Sequence, residues 1–507
     1  MTYGRPGVYI NETLLPAGAG LTTGTANAAG AALGVFAQGP TDVTLVTSWY
    51  DFVKKFGGYN AAYPATFGVG QFFQNGGSDL YVRRVLHSDA VLAAAVVPHT
   101  SNGNDVMATV YAKGYGADGN NLRVQFTATG RANYFDLTVY KETVAGTGSN
   151  VGNDLILERY PNVVVNDVNS GDYVATVVNI QSQYITITVS DNTLTPTTAV
   201  LPLVGGSDGS AATASDFSGA VADFDAIDRP LVVFAPEVLT QLGSNDGATV
   251  HDALIAWANT GSGFAVIDTP AITTQSSAVA DAVSYVGDRT APVLGQAAAY
   301  FPNYYITDPI GRSTRSLRKI GPAGAIAGLY ISTDKQVGPF KAPAGITAAV
   351  RGAVALEKAF TSAELDTLNS GVSPVNALRN LPGSGVVVMG ARTLLQDGTA
   401  NKYVNMRRSL IYIEKRLKDA TQFALFQNNN QDLWTRLNTV LGNILNEYRN
   451  QGGLRGATPA DAYFVKVDAE NNTPESIALG EVHIEVGVAL QYPAEFVVIN
   501  LSQKTAN

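Results

Sequence analysis

Leu231-Val232-Val233-Phe234-Ala235-Pro236 is an apolar, β-prone run closed by a proline, and what flanks it decides the fold. An unbroken apolar run of this length fits a strand covered on both faces, as in a parallel sheet. Downstream, residues 251–258 read as a helix, 263–267 as a second buried strand ending in Asp268, 276–286 as a helix and 297–306 as another strand. Upstream, 32–37 and 43–46 read as strands. Ser48 caps a helix over 49–56, stopped by Gly57-Gly58; 67–74 reads as a helix and 80–85 as a strand. Strands and helices alternating on both sides predict one α/β layer shared by the two stretches.

Between them the texture changes. Residues 105–200 are rich in β-formers and turns, with runs at 122–126, 134–140 and 184–189 and little helical period. They read as an inserted all-β domain ending at the loop Gly205-Gly206-Ser207-Asp208-Gly209. In the last third, Met406, Leu410, Ile413, Leu417, Ala420 and Ala424 are spaced 4, 3, 4, 3 and 4 apart, one apolar helix stripe. Trp434, Leu437, Leu441, Ile444, Leu445 and Tyr448 form a second stripe, closed by Gly452-Gly453. Strands follow at 463–467 and 482–488, so the pair reads as antiparallel helices on a sheet.

The expected architecture is mixed α/β and multidomain. It comprises an arm and flexible tether (1–31), an α/β middle domain (32–99 plus 226–385), an inserted β-rich domain (100–225) and a C-terminal helix-pair-on-sheet domain (386–507). The chain has 507 residues, 46% hydrophobic and only 15% charged, which suits large buried subunit interfaces or simply a Gly/Ala/Thr-rich β protein. A net charge of −9 argues against a molecule-wide nucleic-acid surface. Without cysteine there are no disulfides or thiolate metal sites. Neither a signal-peptide pattern nor an apolar run long enough to span a membrane is present, so a soluble, cytoplasmically made protein is expected.

Both chain ends read as strands without a sheet of their own. Val8-Tyr9-Ile10 lies in a short β-prone run, and Phe496-Val497-Val498-Ile499 in another. Unpaired strands are completed by strand addition, and a neighbouring copy is the natural donor or acceptor. Five or six interchain hydrogen bonds at about 1 kcal/mol each, with about 1.5–3 kcal/mol per buried apolar side chain, give a gross gain of order 10 kcal/mol per arm before ordering costs. The Gly/Ala-rich stretch 17–32 reads as a tether that lets a subunit turn while its arm stays seated.

With these elements placed, the chain resembles the contractile tail sheath proteins of myovirus tails and related injection machines. The resemblance rests on motifs in order along the chain: Pro6-Gly7-Val8-Tyr9, residues 112–121, the Gly205–Gly209 loop, residues 322–330 with Thr333-Asp334, residues 341–345, Gly390-Ala391-Arg392-Thr393-Leu394, Tyr403-Val404-Asn405-Met406-Arg407-Arg408, and Pro493-Ala494-Glu495-Phe496. One departure is Phe426-Gln427-Asn428-Asn429, where many relatives carry Phe-Glu-Pro-Asn; a carboxylate and a proline are lost. The resemblance implies a helical homo-oligomer of stacked rings, whose terminal arms are exchanged between neighbours. The sleeve surrounds a tail tube protein, meets baseplate and tail terminator proteins, and contracts to drive the tube through a cell envelope. It implies residence in the virion tail, assembly in the host cytoplasm, no direct nucleic-acid contact and no membrane insertion.

Gripping a tube needs charge. Lys402, Arg407, Arg408, Lys415, Arg416 and Lys418 form the richest basic cluster and are the first candidates to face an acidic tube; a solvated helix face or Arg pairing within the core is the competing reading. Arg436, Arg449 and Arg455 are the alternative set. No catalytic residue, cofactor or metal is expected. There is no phosphate loop, Gly383-Ser384-Gly385 precedes a strand instead of opening a helix, and His87, His99, His251 and His483 lack ligand spacing. Turn chemistry accounts for Asp118 and Asp208. Two other readings stay open: a non-contractile surface-layer or capsid-like lattice, and an α/β enzyme centred on Asp268, which follows a buried strand.

Overall fold

The computed structural model describes residues 28–495, apart from 101–104, 144–150, 153, 261–262, 290–294, 314, 371–372 and 396–399. Val8, Tyr9, Ile10, Phe496, Val497, Val498 and Ile499 lie outside the described residues. The chain divides into two units: one of residues 1–32, 67–80 and 225–507, the other of 33–66 and 81–224. Sequence reading drew boundaries at 31, 99, 225 and 385, of which those at 31 and 225 fall within one residue of a division between the units.

The first unit is built on strands in the order Gly385–Val388, Val375–Leu381, Ala297–Phe301, Gly263–Asp268, Leu231–Phe234 and Ala29–Gly34, the last running on into the second unit. All but the first, which forms an antiparallel hairpin with Val375–Leu381, pair in parallel, with Ala31 beside Val233 and Ala265 beside Ala297. Parallel strands need crossovers, and the helices Ser244–Thr260 and Ala278–Gly287 supply two of them. The expected strand over 297–306 is two: Ala297–Phe301 in this sheet and Tyr304–Thr307 in a separate antiparallel sheet with Leu317–Ile320 and Ala353–Leu356. Pro302, which has no N–H to give a ladder, sits at the break.

Residues 28–32, expected within the tether, are fully or nearly fully buried, and 29–32 pair with Leu231–Phe234. Small side chains here answer to packing and not to flexibility. A Cβ on Gly30 would come within 2.6 Å of the Phe72 ring and 2.8 Å of Leu80. The C-terminal part of this unit holds the helices Val404–Ala420 and Gln431–Asn450 and the hairpin of Tyr463–Lys466 with Glu485–Val488, as the apolar periodicity indicated.

The second unit carries two antiparallel sheets. One orders Ala94–Pro98, Val106–Ala112 and Ile185–Val189; the other Val200–Pro202, Leu122–Ala128, Tyr134–Lys141 and Leu155–Val164. Their inward residues, among them Val97, Val110, Phe126, Leu137 and Val139, share one core with Val174 and Val178 of the helix Val174–Gln181, an element that sequence reading passed over. Ser48 caps the helix Trp49–Phe56 as expected, its hydroxyl accepting from Asp51 N at 3.1 Å. Arg84 is buried and donates to the carbonyls of Phe36, Gly39 and Tyr115 and to Asp208 at 2.9 Å. Asp208 is therefore the counter-charge of a buried arginine, beyond the turn role expected of it.

Candidate functional site

The basic cluster singled out in the sequence and the two long helices that carry it lie in the C-terminal part of the first unit. Helix Gln431–Asn450 starts at Asn430, whose side chain accepts from Leu433 N at 3.1 Å. Its buried stripe is Leu433, Trp434, Leu437, Leu441, Leu445 and Tyr448, five of the six residues expected. Tyr448 and Leu445 share a core with Met406, Tyr412 and Ile413 of helix Val404–Ala420 and with Leu454 and Leu490. In the loop that departs from the relatives' Phe-Glu-Pro-Asn, Asn429 donates to Glu481 O at 2.8 Å and accepts from Trp434 Nε1 at 2.8 Å. Asn429, the last residue of that loop, thus secures the turn between the helices.

The basic cluster is not a single outward face. Arg407, Arg408 and Lys415 are 1%, 5% and 8% exposed and so are not part of the outer face. Arg408 forms a bidentate pair with buried Asp334, Nη1 to Oδ1 at 2.8 Å and Nη2 to Oδ2, and stacks its guanidinium 4.6 Å over the Tyr330 ring. The Tyr330 hydroxyl meets that of Tyr300 at 2.5 Å. Burial pushes the Asp334 carboxyl up, and the charge and hydrogen bonds of Arg408 oppose it. Arg407 lies 3.6 Å from Glu414, and Lys415 bonds Asp228 at 3.0 Å and also Asp419. The physical reason is coverage on the polar side: Arg408, Ile411 and Tyr412 line the same cavity as Leu231, Val232 and Phe264. Lys402, Arg416 and Lys418 remain partly exposed, while Arg436 and Arg455 are exposed.

Asp334 belongs to helix Ala323–Gln336, which periodicity does not reveal because the helix is buried nearly all round. It packs on strands 231–234 and 263–268. On its other side a Cβ at Gly324 would run into Gly68 O, and one at Gly328 into Phe72 O. Two glycines one turn apart are thus the sequence signal for this element: they permit close backbone approach to the helix Ala65–Gln74. At the start of Ala323–Gln336 sit two buried acids. Asp268 accepts from Ala323 N at 2.6 Å, and Glu237 accepts from Gly321 N at 2.6 Å and Thr240 Oγ1 at 3.0 Å. Burial raises Glu237 to about 7, and burial with the neighbouring Glu237 charge raises Asp268 well above its ordinary value. Asp268, the residue on which an enzyme reading centred, is 4% exposed and committed to a helix N-terminus.

Comparison with known proteins shows what this architecture is similar to. Residues 396–504 match the family model of the phage tail sheath C-terminal domain. Over 180 residues the chain is 27% identical to the tail sheath protein of Vibrio phage KVP40; the match takes in 35% of this chain and 26% of that protein, about a quarter of the relative's length. Among solved structures, the anti-feeding prophage baseplate is similar over 99% of this chain and 100% of that one, with 20% identity and a TM-score of 0.57. The PVC sheath complex of an extracellular contractile injection system, in its contracted state, is similar over 99% of both chains at 22% identity and a TM-score of 0.53. The sheath tail protein of Listeria innocua covers 89% of this chain and 90% of its own, with 13% identity and a TM-score of 0.60. The resemblance read from the sequence motifs is thus met by a sequence family at the C-terminal end and by a shared fold along nearly the whole chain.

Proposed function

We propose that this chain is a tail sheath subunit that polymerises as a helical sleeve around a tail tube and contracts to drive the tube through a target envelope, delivering phage DNA. The observation that carries the reading is end-to-end likeness in fold to sheath proteins, one of them in a contracted state, together with the C-terminal family match. Heterologous contacts that do not close on themselves generate such a helix. Strands over residues 8–10 and 496–499, lent to neighbouring copies, would supply them. Energy for contraction is then a difference between two packings of one lattice and needs no bound nucleotide.

Tube contact falls to charges left outside: Lys402, Arg416 and Lys418 on the first long helix, and Arg436 and Arg455 at the second. Individually weak, salt-screened pairs suit a grip that must slip. Baseplate and terminator proteins at the two ends of the sleeve, a place in the virion tail and assembly in the host cytoplasm complete the proposal. Electron microscopy of the purified protein tests it. Hollow tubes, some shorter and wider, are expected; flat or closed shells would favour a static lattice, and discrete small oligomers would overturn the assembly reading.

A further inference from the structure

The C-terminal end of the described chain is held in an unusually complete way. Glu495 receives Arg392 Nε on Oε1 and Nη2 on Oε2, both at 2.8 Å, with Asn369 Nδ2 and Tyr403 Oη adding contacts at 3.2 Å. The third arm of the guanidinium, Nη1, donates to Asn369 O at 2.7 Å, so the fork is fixed in plane. Burial would raise the Glu495 carboxyl, yet the bonds and charge of Arg392 outweigh it and hold it below its ordinary range.

Arg392 is in turn fastened to the central sheet. Its N–H donates to Asn376 Oδ1 at 2.7 Å, and Asn376 Nδ2 donates back to Arg392 O at 2.8 Å and on to Ala299 O at 3.1 Å. Asn376 is 3% exposed and lies on strand Val375–Leu381; Ala299 lies on the neighbouring parallel strand Ala297–Phe301. Gly390 makes the approach possible, since a Cβ there would stand 2.7 Å from Asn376 Oδ1. The residues leading to Glu495 are held as well. Leu490 bridges to Leu454, Gln491 O accepts from Asn405 Nδ2 at 3.1 Å, and the Tyr492 ring stands edge-on to Tyr403 with centroids 6.3 Å apart.

We propose that Glu495 is the fixed root of the strand lent to a neighbouring copy of this chain, and that the relay Glu495–Arg392–Asn376 passes tension on that strand into the central parallel sheet. The inference rests on the strand-exchange reading above and adds its anchoring residues. An isolated surface ion pair is too weak for such a task. Here a bidentate pair with further donors on both carboxylate oxygens, backed by a buried asparagine, sets position and direction. Direction matters because strand register has period two. A slip of one residue at the root would exchange the two faces of the lent strand.

The test compares wild type, Glu495→Gln, Arg392→Ala, the charge swap Arg392→Glu with Glu495→Arg, and a chain truncated after Glu495. Tube formation is read by sedimentation and electron microscopy, and monomer folding by thermal melting. Glu495→Gln and Arg392→Ala are expected to melt within a few degrees of wild type yet need at least fivefold more protein to form tubes, with part of that loss regained in the swap. Glu495→Gln keeps the side chain's shape, so it decides the matter if Arg392→Ala does not fold. Tubes from Glu495→Gln at the wild-type concentration, with none from the truncated chain, would overturn the anchor and leave strand exchange standing. Normal tubes from the truncated chain would overturn exchange of the C-terminal strand itself, and the anchor with it.

Discussion

The two long C-terminal helices have similar apolar stripes and opposite charge behaviour. Val404–Ala420 turns Arg407, Arg408 and Lys415 into the protein, whereas Gln431–Asn450 leaves Asp432, Arg436 and Glu447 in solvent. The first helix is embedded on both sides, so its charges are structural ties, with Arg408 reaching helix Ala323–Gln336 through Asp334. The second is covered on one side, so its charges stay at the surface, where Glu447 pairs with Arg416 at 3.7 Å and Arg436 lies 4.3 Å over the Phe423 ring. Basic residues on neighbouring helices of one domain thus serve different ends, and burial, not residue type, separates them.

The sharpest way to break the contrast is to remove one half of the inward pair. Arg408→Met leaves the Asp334 carboxylate buried and uncompensated, and about 3–5 kcal/mol of stability should be lost in urea unfolding. Adding Asp334→Leu should recover most of that, because two apolar side chains carry no desolvation penalty. Recovery failing in the double variant would mean that the pair does more than neutralise itself.

The same inward principle predicts a pH effect at Glu237. Its folded value of about 7 lies above the ordinary 4.5, so between those limits the native state holds a proton that the unfolded chain has released. Stability from this group is therefore greatest below pH 4.5, falls as pH rises to about 7, and stays reduced above it, by of order 1–3 kcal/mol. Glu237→Gln should flatten that slope in melting curves collected from pH 5 to 8. An unchanged slope would place the titrating group elsewhere.

Lys415 is an intermediate case: it is buried, but its partners Asp228 and Asp419 are 73% and 48% exposed. Lys415→Met should cost only about 1 kcal/mol, since water can solvate the carboxylates left behind. At the small end, Arg436→Glu should change stability by less than about 0.5 kcal/mol. Its effect should appear in co-assembly with the tube protein, measured as sleeve length per tube at low and high salt. If Arg436→Glu unfolded the protein while Arg408→Met did not, the division between the helices would be reversed.

Sequence reading succeeded where one face of an element is dry and the other wet. The helix Trp49–Phe56, the second long helix and the hairpin Tyr463–Lys466/Glu485–Val488 show such alternation and lie close to where it put them. It missed helix Ala323–Gln336, which has no wet face and hence no period, although Gly324 and Gly328 mark where a backbone comes close. It took Gly30 and its neighbours for a flexible tether because small residues suit both slack chain and tight packing. It left open whether Arg407, Arg408 and Lys415 face outward or pair within the core, since a helical period gives the angle of a side chain but not what lies beyond it.

By itself, then, the amino-acid order determined the alternation of strands and helices, the β-rich segment between the two α/β stretches, the helix pair and the motifs on which the resemblance to sheath proteins rests. These are local matters of periodicity, capping and turn chemistry. Only the tertiary structure decided which charges are ties and which stay at the surface, that Asp268 and Glu237 hold a helix start, and that Glu495 is bound to the central sheet through Arg392 and Asn376. Those outcomes depend on residues scores of positions apart meeting in a space closed to water. There the cost of desolvating a charge is met by its partner, and no local pattern records who that partner will be.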